Sequence, residues 1–255
     1  MKKDKIISAI ESIFPKEHAE PWDNSGLIID ADKEDINKIY LSVDLLYDNI
    51  NELDDVDMVI THHPLIFKGI KEIDMSASSK LVKEMIKHDI VYYSAHTSFD
   101  IQKAGFYKFY EDKLGLVNTD FAIKVDDDLG YGIAGDLNDM DLMSLAERIK
   151  TINMAKYIQV YKNNDKNTRI MILNGSGKDF LDNVLEKRPD TLITSDLGYH
   201  DVQALRNAKI NLIMQDHNSS ESAFDNIMEE LIKKDFEDAE IIKNFSSFTD
   251  NIEIL

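Results

Sequence analysis

Residues 3–14 place apolar side chains at Ile6, Ile7, Ile10, Ile13 and Phe14. That is the i, i+3, i+4, i+7 stripe of an amphipathic helix, and Pro15 stops it. Trp22-Asp23-Asn24-Ser25-Gly26 reads as a turn ahead of a short strand at Leu27-Ile28-Ile29. A second apolar run, residues 38–43, predicts another strand and feeds a helical segment over 45–53. Met58-Val59-Ile60 then predicts a buried strand that closes on Thr61-His62-His63-Pro64. A helix over 79–88 and a strand over 90–94 follow. Strands alternating with helices predict α/β architecture with mixed, mainly parallel sheets.

The pattern then repeats. Asp57-Met58-Val59-Ile60-Thr61 returns as Asp190-Thr191-Leu192-Ile193-Thr194, an offset of 133 residues. An apolar strand and a helix precede each copy; for the second they are residues 170–173 and 178–186. Another strand follows each copy and ends in His96-Thr97-Ser98-Phe99-Asp100 or in His217-Asn218-Ser219-Ser220-Glu221. Both endings read His-x-Ser-x-carboxylate, so the chain carries a duplicated α/β unit. Asp126-Asp127-Asp128-Leu129-Gly130 is acidic and turn-prone. It predicts a boundary between a first lobe, 1–125, and a second, 126–255, whose C-terminal segment could pack back on the first. Gly132–Gly135 opens a new strand, and residues 141–152 read as helical.

Composition narrows the function classes. A chain of 255 residues with 43 % hydrophobic content is long enough for a substantial core. No apolar run reaches the roughly 18 residues of a membrane span. The basic start, Met1-Lys2-Lys3-Asp4-Lys5, meets Glu11 too soon for a signal peptide. With no cysteine there is neither a disulfide framework nor a thiolate metal site, and a cytoplasmic location is expected. The net charge of −19 argues against a nucleic-acid surface. It also opposes steering of an anionic substrate, which would need a local cation such as a bound metal.

The candidate chemistry gathers at the strand ends, where α/β proteins collect ligands. Neighbouring residues of a strand face opposite ways. His62 and His63 can therefore share one ion only where the backbone turns; otherwise they serve two ions side by side. His96 with Asp100, and His217 with Glu221, are four residues apart, so each pair shares a face if a helix starts there. Imidazole with carboxylate suits zinc, iron, manganese, cobalt or nickel, and suits calcium or magnesium poorly. Without thiolates such a site is catalytic or exchangeable rather than a closed structural one.

At this point residues 19–27 (Ala-Glu-Pro-Trp-Asp-Asn-Ser-Gly-Leu), Thr61-His62-His63-Pro64-Leu65, residues 94–100 (Ser-Ala-His-Thr-Ser-Phe-Asp) and residues 194–201 (Thr-Ser-Asp-Leu-Gly-Tyr-His-Asp) carry a resemblance. In that order they resemble the dinuclear-metal-centre hexameric proteins, often described as GTP cyclohydrolase 1 type 2 homologues. The resemblance spans residues 6–226. It implies two intertwined, duplicated α/β repeats with a metal site between the lobes. It also implies a toroidal homohexamer with two divalent metal ions per subunit. The implied metal ligands are His62, His63, Asp100, His217 and Glu221, with Glu221 as the bridging carboxylate. The chain departs from the family at Ser98-Phe99 and at Asp216, without losing a ligand. Asp216 either adds charge beside the site or orients an imidazole. The large central insertion of longer members has no counterpart here.

His96 is not among the implied ligands, although the repeat pairs it with His217. It is the candidate catalytic residue, a proton shuttle or substrate contact, with a packed histidine as the plainer alternative. Trp22-Asp23-Asn24 either closes a pocket or packs as a corner. Asp196, Tyr199 and His200 stand where the first copy has its histidine pair; they either keep a diminished role near the pocket or, the plainer reading, form a hydrogen-bonded helix start. The expected function is metal-dependent hydrolysis of a small nucleotide-like or phosphorylated molecule through metal-activated water. The alternative is a non-catalytic, metal-binding assembly or protein-interaction factor. No phosphate-cradling glycine loop is present, and Lys68 and Lys71, the nearest cations, read as solvated surface.

Overall fold

The computed structural model describes residues 1–138, 140–244 and 253. In chain order the elements begin with α1 (Lys3–Ile13), β1 (Gly26–Ile29), β2 (Lys38–Ser42), β3 (Met58–Thr61), α2 (Ala77–Lys87), β4 (Val91–Ser94) and α3 (Thr97–Asp100). Next come α4 (Lys108–Leu114), β5 (Val117–Lys124), β6 (Gly130–Asp136), α5 (Leu142–Ile152), β7 (Gln159–Tyr161) and β8 (Arg169–Ser176). The last are α6 (Leu181–Lys187), β9 (Thr191–Ser195), α7 (Tyr199–Ala208), β10 (Asn211–Gln215), α8 (His217–Ser220), α9 (Ala223–Asp235) and β11 (Glu240–Lys243). None of the described helices is long and apolar enough to cross a membrane.

The chain divides into two units, residues 1–99 with 224–244, and residues 100–223. In the first, the sheet order is β1-β4-β3-β2-β11. β4, β3, β2 and β11 run parallel, and β1 lies antiparallel on the edge. β2, β3 and β4 read as unbroken apolar runs because both faces are covered. α2 buries Leu81, Val82 and Met85 against Tyr40, Val59 and Tyr92 on one of those faces.

The second unit has the order β5-β6-β8-β9-β10-β7. β8, β9 and β10 are parallel, with β6 and β7 antiparallel on either side. Val184 of α6 and Leu205 of α7 pack with Met171, Leu192 and Leu212. The trio β8-β9-β10 thus reproduces β2-β3-β4, as the duplicated sequence predicts.

The division between units differs from the expected one at 125. Residues 126–129 are the tight turn of the β5–β6 hairpin, in which Asp126 Oδ1 accepts from the Asp128 and Leu129 amides at 2.8 Å. An aspartate that bonds its own following backbone makes a turn, not a linker. The first unit instead ends after Phe99, and the chain returns to it in α9 and β11, where Ile242 pairs with Tyr40.

Candidate metal centre

β3 ends at Thr61, and the backbone turns at once. The amides of His62 and His63 both donate toward the end of β2, to Ser42 O at 3.1 Å and Val43 O at 2.9 Å. Successive amides of a regular strand point to opposite sides, so the pair has left the pleat. Their carbonyls are held by buried hydroxyls: Ser94 Oγ donates to His62 O at 2.7 Å, and Thr61 Oγ1 to His63 O at 2.7 Å. The Tyr92 hydroxyl also reaches His63 O at 3.1 Å and accepts from the Leu65 amide at 2.7 Å. Burial pushes the Tyr92 phenol above its ordinary pKa, so it stays a neutral donor.

Beyond the turn, both rings face one cluster. His62, His63 and His96 each present a ligand nitrogen, all within 4.8 Å of one another. His62 is fully buried, and the other two are half-buried. Each ring is gripped by its Nδ1. His62 Nδ1 donates to the Ala95 carbonyl at 2.8 Å, His63 Nδ1 to Asp44 at 2.9 Å and His96 Nδ1 to Asp23 at 2.7 Å. A carbonyl can only accept, so the His62 proton sits on Nδ1 and Nε2 carries the lone pair, the tautomer in which an imidazole ligates metal.

The side chain of Asp23 is wholly buried. Burial pushes its pKa up, but hydrogen bonds from His96, Thr97 and Ser25 outweigh it and hold the carboxyl well below the usual range. Asp23 is therefore an ionised anchor within the corner that its turn forms. Trp22 beside it is exposed.

The second unit builds a matching group. Asp216 caps α8 by accepting from the Ser219 amide at 2.9 Å, so His217 opens the helix and Glu221 closes it. His217 Nε2 and Glu221 Oε1 lie 3.3 Å apart, a spacing that two donors about 2.1 Å from one ion can span. His217 Nδ1 donates to Asp196 at 2.5 Å. Asp196 follows β9 with φ +56°, a left-handed conformation uncommon for aspartate. The imidazole-orienting role considered for Asp216 is filled at His217 by Asp196, while Asp216 Oδ1 caps the helix.

Behind this pair stands Gly175 with φ +59°, where a Cβ would overlap the Glu221 carboxylate. Its amide donates to Ser220 Oγ at 2.9 Å, and its carbonyl accepts from Ser195 Oγ.

Asp100 closes α3, half-buried, and is not part of the three-imidazole cluster. Tyr199 and His200 open α7 and are exposed, and the helix start is tied by Asp201, which accepts from the Gly198 amide at 2.8 Å. Lys68 and Lys71 are exposed as expected. The sequence reading missed Asp44, Gly175 and the anchoring role of Asp23. Asp196, expected either near the pocket or in a helix start, occupies the His63 position at the same 133-residue offset as the repeat and bonds His217.

The donor set fits a borderline divalent ion. Histidines that ligate metals give their second ring nitrogen to a carboxylate or carbonyl, which fixes tautomer and orientation. Four imidazoles on two units share that arrangement here. These His and Glu groups can bind a metal ion.

Residues 1–251 match the profile of the family described as Duf34/NIF3 (NGG1p interacting factor 3). A Clostridium perfringens protein named GTP cyclohydrolase 1 type 2 homolog is 32 % identical over 229 residues, covering 87 % of each chain. A Campylobacter jejuni protein of the same name is 31 % identical over 226 residues, covering 88 % of this chain and 89 % of its own. Among solved structures, a Bacillus cereus protein related to NIF3 superposes with a TM-score of 0.87 at 20 % identity, over 100 % of this chain and 99 % of its own. That last likeness bears on the fold.

Proposed function

Because the chain belongs to the DUF34/NIF3 family, we propose that it is a metal-dependent hydrolase whose imidazoles and carboxylates hold two divalent ions per chain. The ions are zinc, iron, manganese, cobalt or nickel, which the mixed nitrogen and oxygen donors suit. His62, His63 and Asp100 are the ligands from the first half of the sequence, and His217 and Glu221 those from the second. Two such ions supply Lewis-acid activation of water and of substrate oxygens. Glu221 would be the carboxylate that holds both ions. His96, held in one orientation by Asp23, carries the proton to or from the reacting group.

The substrate class is a small nucleotide-like or phosphorylated molecule, in keeping with the name that the relatives carry. A cytoplasmic homohexamer is part of the same reading. Light scattering should then give six times the 29.2 kDa chain mass.

The observation that carries the proposal is the shared Nδ1 anchoring of His62, His63, His96 and His217. Packing alone does not require four rings to present their Nε2 in this way. The test is elemental analysis of the purified protein, followed by assay against nucleotides and phosphate esters with and without added divalent ions. Turnover that needs metal, and is lost in both His63→Ala and Glu221→Ala, is the expected result. His96→Gln should keep its metal and lose turnover. Stoichiometric metal without turnover on any compound would overturn the hydrolase reading in favour of a metal-handling protein.

A further inference from the structure

Next to the imidazole cluster, the first unit carries aromatic surface that metal binding does not use. Trp22, the one tryptophan of the chain, is 59 % exposed, and Phe67 is 40 % exposed. Their ring centroids are 5.8 Å apart. The His96 ring lies 6.3 Å from Trp22 and 6.2 Å from Phe67, edge-on to both. The three rings form a continuous rim that begins at His96 and opens to water.

The rim is braced from beneath. Asp23, next to Trp22, accepts from Ser25 Oγ at 2.7 Å, Thr97 Oγ1 at 2.6 Å and the Thr97 amide at 3.0 Å. Asn24 Nδ2 donates to Ile66 O at 2.5 Å, which ties the Trp22 turn to the loop bearing Phe67. The Leu65 amide, one residue earlier, anchors the same stretch ahead of Phe67 on the buried Tyr92 hydroxyl. Large rings that are both exposed and held in place suit stacking, because little ordering remains to be done when a flat partner arrives. Lys68, one residue on, is a cation in a chain of net charge −19, and leaves the rim suited to a neutral or weakly anionic ligand.

We propose that Trp22 and Phe67 form a stacking platform for a planar, nucleobase-like ring of the substrate, and so select substrates whose reacting bond reaches the imidazole cluster. This rests on the metal-site reading for the place of the reaction, but not for the stacking itself.

Trp22 is its own reporter. The full-length protein, with and without added divalent ion, is titrated with adenosine and guanosine, and with ribose as the ring-free control. The nucleosides should quench Trp22 emission saturably, and ribose should not. Phe67→Ala should weaken nucleoside affinity roughly 5- to 100-fold by calorimetry, with metal content per chain unchanged. Phe67→Tyr, which preserves a stacking ring, should stay within about twofold of the parent and guards against a folding defect in the alanine variant.

No quenching in protein that carries its metal would overturn the platform and leave the metal centre standing. Quenching in protein that takes up no metal would support the platform and sink the metal centre. Trp22 emission that changes on dilution without ligand, and is insensitive to nucleosides, would reassign the rim to a subunit contact and overturn the proposal.

Discussion

Four imidazoles with their Nδ1 atoms occupied set the character of this protein at the level of single residues. The anchors Asp44 and Asp196 fix which nitrogen His63 and His217 present. Asp44→Ala and Asp196→Ala should each lower metal affinity about 10- to 100-fold in competition with a chromophoric chelator. Asp216→Ala, which uncaps α8 without touching an imidazole Nδ1, should cost about 1 kcal/mol of stability in denaturant titration. Gly175→Ala is a sharper probe. Its Cβ would displace the Glu221 carboxylate, and alanine is strained at φ +59°. The variant should lose metal at least as severely as Glu221→Gln, while far-ultraviolet circular dichroism stays that of the parent.

Among elements, the turn after β3 does most to build the site, and the Tyr92 hydroxyl helps those of Ser94 and Thr61 to hold it. Tyr92→Phe strands the Leu65 amide and removes one of two donors to His63 O. A lost partner for a partly buried amide costs about 1–3 kcal/mol, so urea unfolding should show a loss in that range. Metal affinity should fall with it, since His63 rides on the same turn. Elements of this kind show how far the sequence could be read. β2, β3, β4 and β8, β9, β10 were legible because strands buried on both faces leave apolar runs, and the duplication marks each one twice. β5 was not, because its first four residues are largely exposed. β11 was not, because what makes Glu240–Lys243 a strand is β2, some 200 residues earlier in the chain. His62, His63, His217 and Glu221 stood out through rare residue types and spacing. Asp23, Asp44 and Asp196 are single aspartates among 48 acidic residues, and only the folded chain separates anchors from solvated charge. The turn at 126–129 misled for a related reason: an acidic turn and a linker share a composition, and they differ only in the hairpin that closes one of them.

Across the whole molecule, an excess of negative charge makes one buried carboxylate consequential. Asp225, on α9, is almost fully buried, and its Oδ1 has no hydrogen-bond partner among the described residues. Burial raises its pKa from 3.8 to about 7, against the weaker pull of Lys243 and His62, which face it. The folded protein therefore keeps this proton over a range where the unfolded chain has released it. The stabilisation is complete below pH 3.8, declines as pH rises toward about 7, and is gone above it. At about 1.4 kcal/mol per pKa unit, the full swing is on the order of 4 kcal/mol. Self-repulsion from the net charge of −19 also destabilises the fold as pH rises, so a pH profile alone does not separate the two. Salt does. Exposed charges are screened within about 8 Å at physiological ionic strength, whereas a buried group is screened far less. In metal-free protein, the fall in unfolding free energy from pH 5 to 8 should shrink at 0.5 M sodium chloride without vanishing. Asp225→Asn, which is neutral at every pH, should remove the salt-resistant part and be the more stable protein at pH 8. A pH profile that Asp225→Asn leaves unchanged at high salt would mean that the carboxyl is already ionised in the fold at neutral pH.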